Sequence, residues 1–247
     1  LDSARKKIYL FGGRYREQPN QGAYRLFNDL WAFDLNTDTW QQLQPTGDIP
    51  SGRSNAAMVY DDLNDQVILF GGSTSTSGLS FQPQRDTFIL DPSTLVWRRV
   101  TGGNPPAILF HSMAVLSSTG QVLAYGGGDE NAYVGPFFGD VWAFDLEVEL
   151  WSKVWRAGSG FEPGGRINSA LVEDESNNRV ILFAGHDDTA IGHRNDVWAF
   201  HPEEGWTLLD GGDTGAGQGC DAFCSCPPDF VNVDVESPER RQYQTFE

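Results

Sequence analysis

Two histidines and two carboxylates fall within eight residues in the stretch His186-Asp187-Asp188-Thr189-Ala190-Ile191-Gly192-His193. Imidazole and carboxylate groups so spaced are the ligands of a divalent metal, and a His–carboxylate pair also exchanges a proton as base and acid. Polar acidic stretches containing glycine are more often turns, however, and Asp196 has a structural use at the start of a strand. The expectation is therefore no catalytic residue and no metal, with His186, Asp187, His193 and Arg194 kept as candidate binding residues. Three cysteines stand together as Cys220-x-x-x-Cys224-x-Cys226. That spacing lacks the paired Cys-x-x-Cys elements of a zinc ribbon, and an odd count leaves at least one thiol unpaired within the chain. One local disulfide fits a secreted chain and three thiols fit the cytosol, the latter slightly favoured. No cofactor is expected.

A second group of side chains suits recognition rather than reaction. Arg14-Tyr15-Arg16 with Tyr24-Arg25 is a basic aromatic cluster in an acidic chain, with Lys+Arg 17 against Asp+Glu 34 and a formal charge of -17. Guanidinium and phenol groups are common interface anchors. Arg85 adds a further cation, and Tyr133, Phe137 and Phe138 add rings that either widen the apolar surface or fold back onto their own strands. The negative charge repels phosphate backbones and anionic lipid, which argues against nucleic acid and membrane as partners. No apolar run approaches the roughly 20 residues that span a bilayer.

These side chains need elements to hold them, and the sequence repeats one unit four times. Each copy has an apolar run ending in glycine, an Asp-apolar-aromatic stretch, and a lone tryptophan. The runs end at Gly12-Gly13, Gly71-Gly72, Gly126-Gly127 and Ala184-Gly185; the second stretches begin at Asp29, Asp86, Asp140 and Asp196; the tryptophans are Trp40, Trp97, Trp151 and Trp206. The runs are short, β-branched and bounded by turn residues, which predicts strands. Asn55 to Tyr60, Gln66 to Phe70, Asp86 to Leu90 and Val96-Trp97 make four antiparallel strands in the second unit. One such sheet leaves a face bare, so neighbours stack around an axis as the blades of an all-β propeller, one domain over residues 1–247. Glycine doublets at strand ends permit close approach of the next blade, and each tryptophan is expected to fill a wedge between blades.

The doublets, the aromatic third strands and the spaced tryptophans resemble the kelch family over nearly the whole chain. Kelch propellers carry Arg-x-x-His, preceded by proline, at the first strand. Here Pro50 and Arg53 precede Ala56, Pro163 and Arg166 precede Ser169, and Pro238 and Arg241 precede Gln244, while His111 keeps the histidine but has Ile108 at the arginine position. The segment 238–246 matches a first strand that could complete the opening blade and close a ring of four. A portion of a larger ring is the favoured alternative, because four large blades leave a sharply wedged core.

Loop length separates the two rims. Turns from first to second and third to fourth strands are short, whereas the second-to-third loops (14–27, 73–85, 128–139, 186–195) and a Cys-containing excursion at 211–237 lie on the other rim. Long loops on a rigid scaffold carry binding residues. The resemblance implies a protein- or peptide-binding scaffold working through that rim. It also implies an alternative, since related propellers include galactose oxidase, sialic-acid epimerases and iron-dependent specifier proteins. The copper-oxidase set of Tyr, His and crosslinked Cys has no counterpart here, nor does the specifier spacing Glu-x-x-x-Asp-x-x-x-His, so the binding module is preferred over a metal-dependent or carbohydrate-handling enzyme.

Overall fold

The computed structural model describes residues 1–18, 22–78, 80–103, 105–132, 134–187 and 192–212. The cysteine cluster, the segment 238–246, Tyr133 and Asp188 lie outside the described residues. Four antiparallel sheets follow one another along the chain and are set around a common axis as propeller blades. Blade 1 is β1 (Lys7–Tyr15), β2 (Arg25–Asp34) and β3 (Thr39–Leu43). Blade 2 is β4 (Thr46–Gly47), β5 (Ala57–Asp61), β6 (Gln66–Phe70), β7 (Thr87–Asp91) and β8 (Val96–Arg99), with β4 running parallel to β8 at the outer edge. Blade 3 is β9 (Ser112–Leu116), β10 (Gln121–Tyr125), β11 (Val141–Asp145) and β12 (Leu150–Trp155). Blade 4 is β13 (Arg166–Ile167), β14 (Ala170–Asp174), β15 (Arg179–Asp187), β16 (His193–His201) and β17 (Gly205–Asp210). Besides strands, the described residues include two single-turn 3-10 helices, Ser117–Thr119 and Glu175–Asn177.

Apart from the two-residue β4 and β13, the strands of each blade lie in chain order, so β5, β9 and β14 form inner edges and pack against one another in sequence. Side chains on alternate faces of each sheet bury themselves in three successive layers. Leu30, Val67, Leu69, Leu90 and Trp97 fill the layer between blades 1 and 2; Ile68, Phe70, Met113, Phe144 and Trp151 the next; Leu123, Tyr125, Leu182, Phe200 and Trp206 the third. Trp97, Trp151 and Trp206 are 1, 6 and 6% exposed, as wedges should be, but Trp40 is 52% exposed. The difference is positional: the face of blade 1 that presents Trp40 points away from blade 2.

The glycine doublets explain how blades approach at their inner edges. Gly12, Gly71 and Gly126 all have φ near +70°, and a Cβ on them would fall 2.7, 2.6 and 2.4 Å from the carbonyl oxygens of Arg53, Ile108 and Arg166 in the following blade. The second glycine of each doublet donates its N–H to that same carbonyl, at 2.8, 2.8 and 2.7 Å. A side chain at the first position would push that hydrogen bond apart.

The two buried arginines of the Pro-x-x-Arg elements complete the joint. Arg53 donates to both carboxylate oxygens of Asp86 (2.6 and 3.1 Å) and to the Gly71 carbonyl; Arg166 does the same with Asp196 (2.6 and 3.1 Å) and Ala184. In blades 2 and 4 the Asp at the third strand is thus the anchor of the first-strand arginine. Where blade 3 has Ile108 instead, Asp140 pairs with Lys153 from its own fourth strand. Burial raises the Asp196 pKa, but the Arg166 and Trp198 hydrogen bonds overcome it and hold the group below the usual carboxylate value. The short-turn rim has its own lock, in which Arg5 bonds both oxygens of Asp65 at 2.6 Å and Tyr60 donates to the same carboxylate.

Candidate functional site

The opposite rim is a continuous ledge of loops. Tyr24 N–H donates to the Thr76 carbonyl at 2.8 Å, joining the β1–β2 and β6–β7 loops, and Phe81 N–H reaches the Glu130 carbonyl of the β10–β11 loop at 3.4 Å. Phe81, Leu109 and Ala132 form a small buried cluster beneath it. Phe137 continues the contacts to blade 4, with its ring 5.9 Å from His186. Each loop is therefore braced by its neighbour.

In blades 1 and 4 much of the expected loop is strand. Pairing resumes beyond the bulge at Gly12–Gly13 as Arg14↔Leu26 and Tyr15↔Arg25, and beyond Ala184–Gly185 as Gly185↔Arg194 and His186↔His193. A bulge adds one residue to one strand, bends it and re-aims the side chains that follow. In this way two rigid hairpins stand on the rim, with the loops of blades 2 and 3 between them.

The blade 1 hairpin carries a stacked basic group. Arg14 and Arg16 each place the guanidinium carbon 4.3 Å from the centroid of Tyr24, and Arg14 is also 5.8 Å from the Phe81 ring. Arg14 is in β1 and Arg16 lies one residue past its end, and both reach the same ring. Cation–π contact of this kind fixes two long side chains whose free rotation would otherwise oppose binding. Tyr15 and Arg25 are exposed on the other side, Arg25 lying 5.1 Å from the Phe27 ring. Together with Arg16, Glu17, Gln18, Gly22 and Ala23 they line an open cleft of about 550 Å³.

The blade 4 hairpin is built differently. Asp187 is 1% exposed and ion-paired to Arg194, so its carboxylate is committed inside the hairpin. His186 and His193 face each other across the strands with ring centroids 4.9 Å apart, and His186 Nδ1 is a buried atom without a hydrogen-bond partner. No group of three or more His, Cys, Asp and Glu side chains converges to metal-binding distance among the described residues. Phe137 is buried and Phe138 half-buried against the layer between blades 2 and 3, while Arg85 is exposed beside Arg99 and Thr101 on a separate cleft of about 310 Å³.

The fold thus brings together Arg14, Arg16 and Tyr24 as one group, and His186, Asp187, His193 and Arg194 as another. Arg85 stands apart from both. Sequence reasoning missed Thr76 and Phe81, which hold the first group from the neighbouring blade. No local pattern marks them, because their partners are more than fifty residues away.

Comparison with known proteins bears on the whole of this arrangement. Residues 2–215 match the model of the KLHDC2/KLHL20/DRC7 Kelch-repeats domain. Among curated proteins, the chain is similar to Tip elongation aberrant protein 1 of Schizosaccharomyces pombe (26% identical over 203 residues, 81% of this chain and 16% of that protein). It is also similar to Kelch domain-containing protein 3 of Bos taurus (28% over 204 residues, 79% and 48%). A third relative is N-(sulfonatooxy)prop-2-enimidothioate sulfolyase of Thlaspi arvense (30% over 175 residues, 68% and 46%). The chain spans less than half the length of each of these three relatives.

Proposed function

Because the chain belongs to the Kelch-repeat propeller family, whose members typically bind proteins, we propose that its long-loop rim is the surface that captures a protein or peptide segment. The observation that carries this reading is the Arg14–Tyr24–Arg16 stack, held from blade 2 by Thr76 and Phe81. Two guanidinium groups fixed on one ring concentrate positive charge that attracts carboxylate groups, within a chain that is otherwise acidic. The segment recognised is therefore one bearing a carboxylate beside apolar residues, the latter meeting Tyr15 and the aliphatic stems of the arginines.

A displayed library of random peptides tests this directly. The native chain is expected to enrich carboxylate-bearing sequences, and the variant Arg14→Ala/Arg16→Ala/Tyr24→Ala to enrich none while keeping its melting temperature. Equal enrichment by both proteins would remove the rim from consideration. The similarity to the Thlaspi arvense sulfolyase favours a second reading, a lyase of the same ring type. Its marker would be turnover of a sulfated thioimidate that is insensitive to the triple substitution and sensitive to His186→Ala.

A further inference from the structure

Blade 3 lacks the arginine that blades 2 and 4 bury, yet it keeps the positions that hold one. In those two blades the guanidinium donates to the carboxylate at the third strand (Asp86, Asp196) and to the carbonyl of the first doublet residue (Gly71, Ala184). It also donates, at 3.1 Å in both, to the carbonyl two residues before the arginine (Ser51, Gly164). The same three positions in blade 3 are Asp140, Gly126 and Pro106, with Ile108 where the arginine stands. Ile108 replaces only the stem: a Cβ on Gly127 would meet Ile108 Cγ1 at 2.8 Å, just as one on Gly185 would meet Arg166 Cδ at 3.0 Å. Beside the isoleucine is a cavity of about 110 Å³, and all three of Asp140, Gly126 and Pro106 border it.

We propose that this cavity is a binding site for a guanidinium group from outside the chain, held as Arg53 and Arg166 are held within it. The planar fork of a guanidinium reaches a carboxylate and two carbonyl oxygens at once, which an ammonium group does not. The ring contact is repeated as well. Arg53 lies 5.3 Å from the Phe88 ring, and Trp142, two residues after Asp140 as Phe88 is after Asp86, borders the cavity. An apolar occupant would fill the volume but offer no donor to the carboxylate.

Lys153 does not bar the site. It pairs with Asp140 and lies 5.2 Å from the Trp142 ring, and blade 2 carries a cation, Arg99, at the same register opposite Phe88 while Asp86 still holds Arg53. The side chains of Asp140 and Lys153 are 26% and 29% exposed, so the polar end of the cavity reaches solvent and the ammonium can turn outward as a ligand enters. Asp140 accepts from Lys153 and from the Ala157 N–H, and a carboxylate has about four acceptor positions, so two remain for a guanidinium. The group comes from an arginine side chain of a partner protein or from a small guanidino compound, since both present the same fork. Neither source depends on the Arg14–Tyr24–Arg16 stack, which belongs to blade 1.

Titration of the chain with ethylguanidinium, followed by NMR at the Trp142 indole N–H assigned with Trp142→Phe, tests the proposal. A saturable shift is expected. Ethylammonium, of equal charge, and isobutanol, of similar size, should shift it at least 10-fold more weakly, because neither makes the charge-assisted pair of hydrogen bonds. Asp140→Asn should weaken ethylguanidinium binding by roughly 10-fold or more while the chain stays folded. Ile108→Arg supplies the guanidinium from within, so it should abolish the response and keep or raise the melting temperature. A capped Gly-Arg-Gly peptide distinguishes the sources: tighter binding than ethylguanidinium assigns the group to a protein partner, and equal or weaker binding assigns it to a small guanidino compound, the site standing in both cases. No saturable shift with ethylguanidinium, an equal response to ethylammonium or isobutanol, an unchanged response in Asp140→Asn, or a lowered melting temperature in Ile108→Arg would each overturn the proposal.

Discussion

His111 makes mild acid a test of how the blades pack. It is 7% exposed, neither ring nitrogen has a hydrogen-bond partner, and its ring lies 5.1 Å from Phe70 in the junction of blades 2 and 3. Burial brings its pKa from the ordinary 6.5 down to about 3. The folded state therefore keeps His111 neutral, while the unfolded chain takes up a proton as the pH falls through the ordinary value. The stability this site contributes is complete above that value and is lost progressively below it. Linkage between the two pKa values gives a loss of about 2 kcal/mol between roughly pH 7 and pH 5. The carboxylates held low, Asp65 and Asp196, keep their full stabilising effect through that window and lose it only at lower pH, as it falls below their unfolded value of about 3.9. The perturbation is His111→Leu, which keeps the volume and removes the titrating ring. Urea unfolding of both proteins across this range should show the native chain losing about 2 kcal/mol more than the variant, with the slope on urea unchanged. The other histidines are present in both proteins and cancel. Parallel stability curves would mean that His111 is hydrated or paired in solution, and the closed junction around it would be refuted.

Other consequences follow from the same packing. Trp151→Ala should cost about 3 to 5 kcal/mol, measured by chemical denaturation, because it empties a junction and strips Thr87 Oγ1 of the indole N–H at 2.8 Å. Trp40→Ala, at a site 52% exposed, should cost about 1 kcal/mol or less, and an equal loss at both positions would deny that blade 1 has an open face. Arg166→Met should lower stability by about 3 to 5 kcal/mol by leaving Asp196 buried without its partner. Arg166→Met with Asp196→Leu should restore most of that loss. A double variant as unstable as the single one would show that the pair contributes through geometry at the Ala184 carbonyl rather than through charge.

The strand content, the four units and the two kinds of rim were legible in the residues themselves, since alternating apolar runs and turn-forming Asp, Asn and Gly act through nearest neighbours. The doublets could be read as close approaches for the same reason: positive φ is a local property of glycine. The anchoring role of Arg53 and Arg166 was half visible, as a repeated Pro-x-x-Arg without its partner. That partner, the Asp opening the third strand, sits 33 and 30 residues further on, and only the blade brings the two together. Likewise nothing in the string distinguishes Trp40 from Trp97, Trp151 and Trp206. All four stand at the same place in the repeat, shortly after the Asp-apolar-aromatic stretch; what differs is whether another sheet lies against them. The Arg14–Tyr24–Arg16 stack depends on the strand pairing that resumes beyond the bulge and on a loop from the next blade that holds it. Sequence alone thus determined the repeating unit and its periodicity, which follow from backbone preferences and alternation. The tertiary structure decided which copies of each residue are covered, paired or left open, because burial and ion pairing depend on what the neighbouring blade supplies across space.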